Sequence, residues 1–106
     1  MTNVEVQVEQ VEGGVSVALT GELDISEVEQ VDKALRGVEG HRPALLVLDL
    51  RLLQFIDSSG LRLILAADAR AREAGRRLAI IRGPDPVHRV FQITQLADRL
   101  EFLPNA

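Results

Sequence analysis

Much is missing from this sequence, and each absence narrows what it can do. There is no cysteine, which excludes a disulfide framework, thiolate catalysis and cysteine-ligated zinc. Tryptophan and tyrosine are absent too, and three phenylalanines are the whole aromatic content. A stacking platform for single-stranded nucleic acid needs aromatic faces that this chain lacks. Cations are outnumbered, with 12 Lys and Arg against 16 Asp and Glu and a net charge of −4. No general phosphate-binding surface and no direct nucleic-acid partner are therefore expected. No apolar run approaches the roughly 20 residues needed to cross a bilayer, so membrane insertion is not expected. The first twelve residues alternate Val with Glu and Gln, unlike a signal peptide, and the expected location is cytoplasmic.

What remains is the composition of a folded domain: 46% hydrophobic and 26% charged over 106 residues, enough for one core and not two. One domain is expected over residues 1–106, its core over about residues 4–103. Val4, Val6 and Val8 alternate with Glu5, Gln7 and Glu9, the period of a half-buried strand. Gly13-Gly14 supplies a tight turn, and Val15, Val17 and Leu19 resume the alternation, which predicts a β-hairpin. Ser26 and Glu29 form a capping-box pattern before Val28, Val31, Ala34, Leu35 and Val38, predicting a helix over about residues 26–38. The apolar run from Ala44 to Leu50 has the length of a buried strand. Asp57-Ser58-Ser59-Gly60 opens a second helix that reaches about Ala74-Gly75, with Leu61, Ile64, Leu65, Ala67, Ala71 and Ala74 as its inward stripe. Leu78 to Ile81 is a further strand. Asp85 as cap and Pro86 at the first helical position predict a third helix with Val87, Val90, Phe91 and Ile93 on its apolar face. Leu100 to Leu103 makes a last strand. The order β-β-α-β-α-β-α-β predicts an α/β domain: a small mixed sheet with helices packed against it.

Few side chains are arranged for catalysis. His41 lies in the turn Gly40-His41-Arg42-Pro43 and His88 in the third helix, and neither has a neighbour at metal-ligand spacing. Both are expected as surface histidines. Ser58 invites comparison with a hydrolase nucleophile at a strand-turn-helix. The nucleophile elbow needs Gly two residues before and two after the Ser, and Ser58 has Ile56 before it. Ser59 fails at both positions, with Asp57 and Leu61. Asp24, Asp49 and Asp57 fall near strand ends, where carboxylates can bind magnesium. Capping accounts for Asp57, and support of the first helix for Asp24, without a metal. Neither metal nor cofactor is expected. Arg70, Arg72, Arg76 and Arg77 are expected as the solvated C-terminal end of a helix, diluted by Asp68 and Glu73.

Capping explains one or two residues of Asp57-Ser58-Ser59-Gly60, but not a pair of hydroxyls behind the apolar Phe55-Ile56. A serine at a helix N-terminus is also a place where a phosphate is tolerated, because free N–H groups and the positive dipole end accept its charge.

Leu19-Thr20-Gly21-Glu22-Leu23-Asp24 followed by a helix resembles the first signature of the STAS family, the sulphate transporter and anti-sigma-factor antagonist domains. Leu46 to Leu50 and then Phe55-Ile56-Asp57-Ser58-Ser59-Gly60-Leu61 resemble the second. The resemblance runs from about Val4 to Leu103, and Asp-Ser-Ser-Gly-Leu is its specific part. It implies a non-enzymatic bacterial anti-sigma-factor antagonist. The unphosphorylated form would bind a partner that is both an anti-sigma factor and a serine kinase of the GHKL type, releasing the sigma factor. Phosphorylation would switch it off, and a serine phosphatase would reset it. Carried over residue by residue, Ser58 is the phosphosite, and Asp24, Asp57, Ser59, Gly60, Leu61 and Arg62 are the partner-binding residues beside it. Many family members have a small residue where Arg62 stands, so a long cation at the docking rim alters which kinase fits. Two other readings stand beside this one: a STAS accessory subunit of a membrane transporter that binds its ATPase, and a small serine hydrolase built on Ser58.

Overall fold

The alternating valines form the expected hairpin. In the computed structural model, which describes residues 3–104, β1 (Val4–Val11) pairs antiparallel with β2 (Gly14–Leu23). Gly13 turns the chain at φ 83°, a left-handed conformation that costs glycine nothing. The chain continues through α1 (Val28–Glu39), β3 (Leu45–Ile56), α2 (Ser58–Glu73), β4 (Arg77–Ile81), α3 (Asp85–Ile93) and β5 (Phe102–Leu103), the predicted order. The five strands make one sheet in the order β1-β2-β3-β4-β5, with β2 to β5 mutually parallel.

That order fixes where the helices lie. Each parallel crossover moves one strand in the same direction, and parallel crossovers are right-handed. All three helices therefore cover the same face. The buried side chains agree: Val17, Leu48 and Ile80 share one row, and they join Leu35, Ile64 and Phe91 in a single core. Each such side chain stabilises the fold by about 1.5–3 kcal/mol on burial.

β3 is longer than the apolar run that predicted it. Leu19 of β2 opposes both Leu50 and Arg51, and Gln54 is inserted between the pairs Gly21–Leu53 and Glu22–Phe55. These two β-bulges change the inward spacing of β3 from two residues to three, so Leu50, Leu53 and Ile56 are buried while Leu52 and Phe55 stand exposed.

Several local expectations need correction. The capping box does not form: α1 starts at Val28, Ser26 donates to Asp24 instead, and the buried Glu27 accepts the amide of Asn3. At α3, Pro84 is the N-cap residue, with no side-chain cap bond, and Asp85 lies in the first turn. β5 is only two residues long. Ile93 is exposed, because it lies about 200° around the helix from Phe91, and Ala74 is exposed while Leu63 is buried on α2. His88 is not on the surface: it packs between Phe91 and Phe102 and is 7% exposed. Three of the arginines expected to be simply solvated are paired instead. Arg70 forks onto Glu39 of α1, Arg72 pairs with Asp68, and Arg77 with Glu101.

Candidate functional site

The C-terminal ends of β2 and β3 pair at Leu23 and Ile56, so the two following loops lie side by side. Asp57 joins them. One carboxylate oxygen, Oδ1, accepts the amides of Ser59 at 3.0 Å and Gly60 at 3.1 Å and also the Ser59 hydroxyl. The other, Oδ2, accepts the amide of Ile25 from the β2–α1 loop at 3.2 Å. Asp57 is thus the N-cap of α2, and it also ties that loop to the neighbouring one. Burial opposes its ionisation, but the Ser59 hydroxyl and the amides of Gly60, Ile25 and Ser59 outweigh this and hold its carboxyl below the ordinary range.

The two hydroxyls, which the sequence left equivalent, are now distinct. Ser59 is half-buried and its Oγ is held by Asp57. Ser58, the first residue of α2, is exposed, and among the described residues its hydroxyl has no hydrogen-bond partner. Asp24 organises the opposite loop. Its Oδ1 accepts the amide and hydroxyl of Ser26, and its carbonyl accepts the amides of Glu27 and Val28.

Gly60 and Leu61 do not face outward as docking residues would. A Cβ on Gly60 would lie 2.7 Å from Cγ1 of Ile56 and 3.0 Å from Leu23, so a hydrogen is all that fits between α2 and the strand ends. Leu61 is 5% exposed and belongs to the core. Both residues hold the site from beneath. Arg62, one position on, is exposed. It lines a shallow groove between α1 and α2 with Ser59 and Leu63 on one wall and Ile25, Val28, Glu29 and Asp32 on the other. Asp49 is apart from this site: Arg51 forks onto it, and that hydrogen bond lowers its carboxyl's pKa against the opposing effect of burial.

Residues 6–104 match the family described as Mlab, STAS domain. The chain belongs to the STAS family. An anti-sigma F factor antagonist of Paenibacillus polymyxa is 32% identical over 89% of this chain and 81% of its own length. The solved anti-sigma factor antagonist SpoIIAA in its unphosphorylated form is 25% identical, with a TM-score of 0.79 over 95% of this chain and 90% of that one. The phosphorylated form of Bacillus SpoIIAA shares the fold, at 23% identity and a TM-score of 0.71 over 95% of this chain and 93% of that one. Among the described residues of this STAS domain, no helix is long and apolar enough to cross a membrane.

Sequence reasoning missed the apolar part of the site. Ile25, on the β2–α1 loop, is 74% exposed, and Phe55, near the C-terminal end of β3, is 47% exposed. An isoleucine between two polar residues, Asp24 and Ser26, was the available signal for the first. The bulge that exposes Phe55 leaves no such trace. The groove combines residues between Ile25 and Asp32 with residues between Ser59 and Leu63, distant stretches that no local pattern brings together.

Proposed function

We propose that this protein is an anti-sigma-factor antagonist switched by phosphorylation at Ser58. In the unphosphorylated state it binds an anti-sigma factor, a serine kinase of the GHKL type, and so frees the sigma factor. Phosphate on Ser58 ends binding, and a serine phosphatase restores it. The observation that carries this reading is the asymmetry of the two serines. Asp57 occupies the hydroxyl of Ser59, while that of Ser58 is exposed and free among the described residues.

The physical consequences of a phosphate support a switch and not an unfolding signal. It adds about −1.5 to −2 charge and three acceptor oxygens. At the first turn of α2 the helix dipole stabilises that charge by about 0.3–1 kcal/mol, so the domain stays folded. SpoIIAA, which has the same fold, is known in both forms. A partner surface that meets a neutral hydroxyl beside Asp57 and Asp24 instead gains repulsion and a buried unpaired charge. That penalty reaches several kcal/mol and outweighs the helix effect.

The docking surface of this reading is the rim formed by Asp24, Ile25 and Phe55 together with the groove that runs past Arg62. A hydrolase lacks its base: His41 follows α1 at the opposite end of the sheet, and His88 is sealed against two phenylalanines. Incubation with an anti-sigma serine kinase from the same genome and ATP, followed by intact mass and phosphopeptide mapping, tests the assignment. One phosphoryl group on Ser58 is expected. A phosphate on Ser59, or none, overturns it.

A further inference from the structure

Arg62 stands apart from the ion pairs of this chain. Six other arginines, from Arg36 to Arg82, each meet a carboxylate. Arg62 is exposed and, among the described residues, meets none. The acids around its groove are largely engaged elsewhere. Asp57 is committed to the amides of Ile25, Ser59 and Gly60 and to the Ser59 hydroxyl. Asp24 holds Ser26, and Asp32 takes Arg36 at 2.9 Å. Glu29, across the groove, is the carboxylate left over.

The place of Arg62 on α2 is specific. Ser58 is the first residue of the helix and Arg62 the fifth. Four residues advance about 6 Å along a helix and about 40° around it, so the two side chains share one face. Helical side chains lean toward the N-terminus, which aims Arg62 back at the turn that carries Ser58. An anion one turn before a cation is the favourable order for such a pair. The first turn of α2 holds no acidic residue of its own, so that order is unfilled until Ser58 carries a charge.

We propose that Arg62 binds the phosphate once Ser58 is phosphorylated, an inference that rests on the phosphosite assigned above. The guanidinium donates to two phosphate oxygens in parallel, the geometry in which arginine recognises phosphate. A phosphate near full ionisation outcompetes the single charge of Glu29 for it. Phosphorylation then alters the docking surface twice. It adds negative charge at Ser58, and it withdraws the one cation among the residues that line the groove. Glu29 and Asp32 stay behind on the far wall, so a partner that meets Arg62 in the unphosphorylated form loses that contact as well as meeting the new charge.

Phosphoserine incorporated at position 58 during translation makes the test independent of any kinase. Phosphorus NMR of the full phosphorylated chain follows the second ionisation of the phosphate, ordinarily near pH 6. An arginine bound to the dianion lowers that pKa. The wild-type phosphate should titrate at least about 0.3 pH below that of Arg62→Gln, with Arg62→Lys between the two. Arg42→Gln removes an equal charge from the loop that enters β3, at the opposite end of the strand from Ser58, and should titrate with the wild type. Equal titration of the wild type and Arg62→Gln overturns the contact. So does an equal rise in Arg42→Gln, which would assign the effect to net charge. Failure of an anti-sigma kinase to modify Ser58 would instead overturn the switch, and it would leave the titration of the incorporated phosphoserine unchanged.

Discussion

Replacing Asp57 by alanine removes four hydrogen bonds at once: those from the Ser59 amide and hydroxyl, the Gly60 amide and the Ile25 amide. Loss of a carboxylate N-cap costs about 1 kcal/mol, and up to about 2. The Ile25 bond holds the neighbouring loop and adds about 0.5–1 kcal/mol. A destabilisation of about 2 kcal/mol follows, and for a domain of this size each kcal/mol lowers the melting temperature by roughly 4–8 °C. Thermal melts followed by circular dichroism should place Asp57→Ala roughly 8–16 °C below the wild type at neutral pH. The difference is itself pH-dependent. The folded-state pKa of Asp57 lies below its unfolded value, so its contribution is present above the ordinary carboxylate pKa of about 3.9 and is lost as pH falls through the folded value. The gap between wild type and Asp57→Ala should therefore narrow as pH falls below about 4. A melting temperature within about 2 °C of the wild type, or a gap that widens in acid, would refute the role of this carboxylate as a clamp between two loops.

Three other perturbations probe neighbouring parts of the account. Gly60→Ala forces a methyl group against Ile56 and Leu23 and should cost about 1–3 kcal/mol in a urea titration, whereas an unchanged midpoint would mean that α2 has room to move. Arg62→Glu should change affinity for the anti-sigma partner while holding stability within about 0.5 kcal/mol, because the side chain is exposed; unchanged binding would remove Arg62 from the docking rim. His88 has its pKa lowered by burial and by Arg82, against a smaller opposing effect of Asp85. Its contribution is full above the ordinary histidine pKa of about 6.5 and is lost as pH falls below it. Melts between pH 7.5 and 5.5 should thus show a loss of stability in acid that His88→Leu diminishes, and an equal loss in both proteins would assign it to other groups.

The sequence was most legible where one local pattern decides the structure. Strict alternation and Gly13-Gly14 specify the hairpin, and Asp57 before two small polar residues specifies the start of α2. It was least legible where a tertiary partner overrides the local pattern. Ser26 had the spacing of a capping box, but Asp24 takes its hydroxyl and Glu27 turns inward to Asn3. The β3 bulges break the period of two, so nothing in Arg51 to Phe55 announced that the strand continues or that Leu52 and Phe55 face out. His88 reads as polar on a short helix and becomes core because Phe102 folds back over it. Of the site residues, Asp24, Asp57, Ser58, Ser59 and Arg62 could be named from the motif. That Gly60 and Leu61 act from beneath, and that Asp57 binds Ser59 and not Ser58, required the folded loops.

The central claim is that charge at Ser58 controls binding without unfolding the domain. Titration calorimetry of Ser58→Ala and Ser58→Asp against the anti-sigma partner tests it most directly. Both variants should keep the wild-type circular-dichroism spectrum and melting behaviour. Ser58→Ala should bind as the wild type does and resist phosphorylation, and Ser58→Asp should bind at least tenfold more weakly, a difference of about 1.4 kcal/mol or more. Equal affinities for the two folded variants would contradict the account.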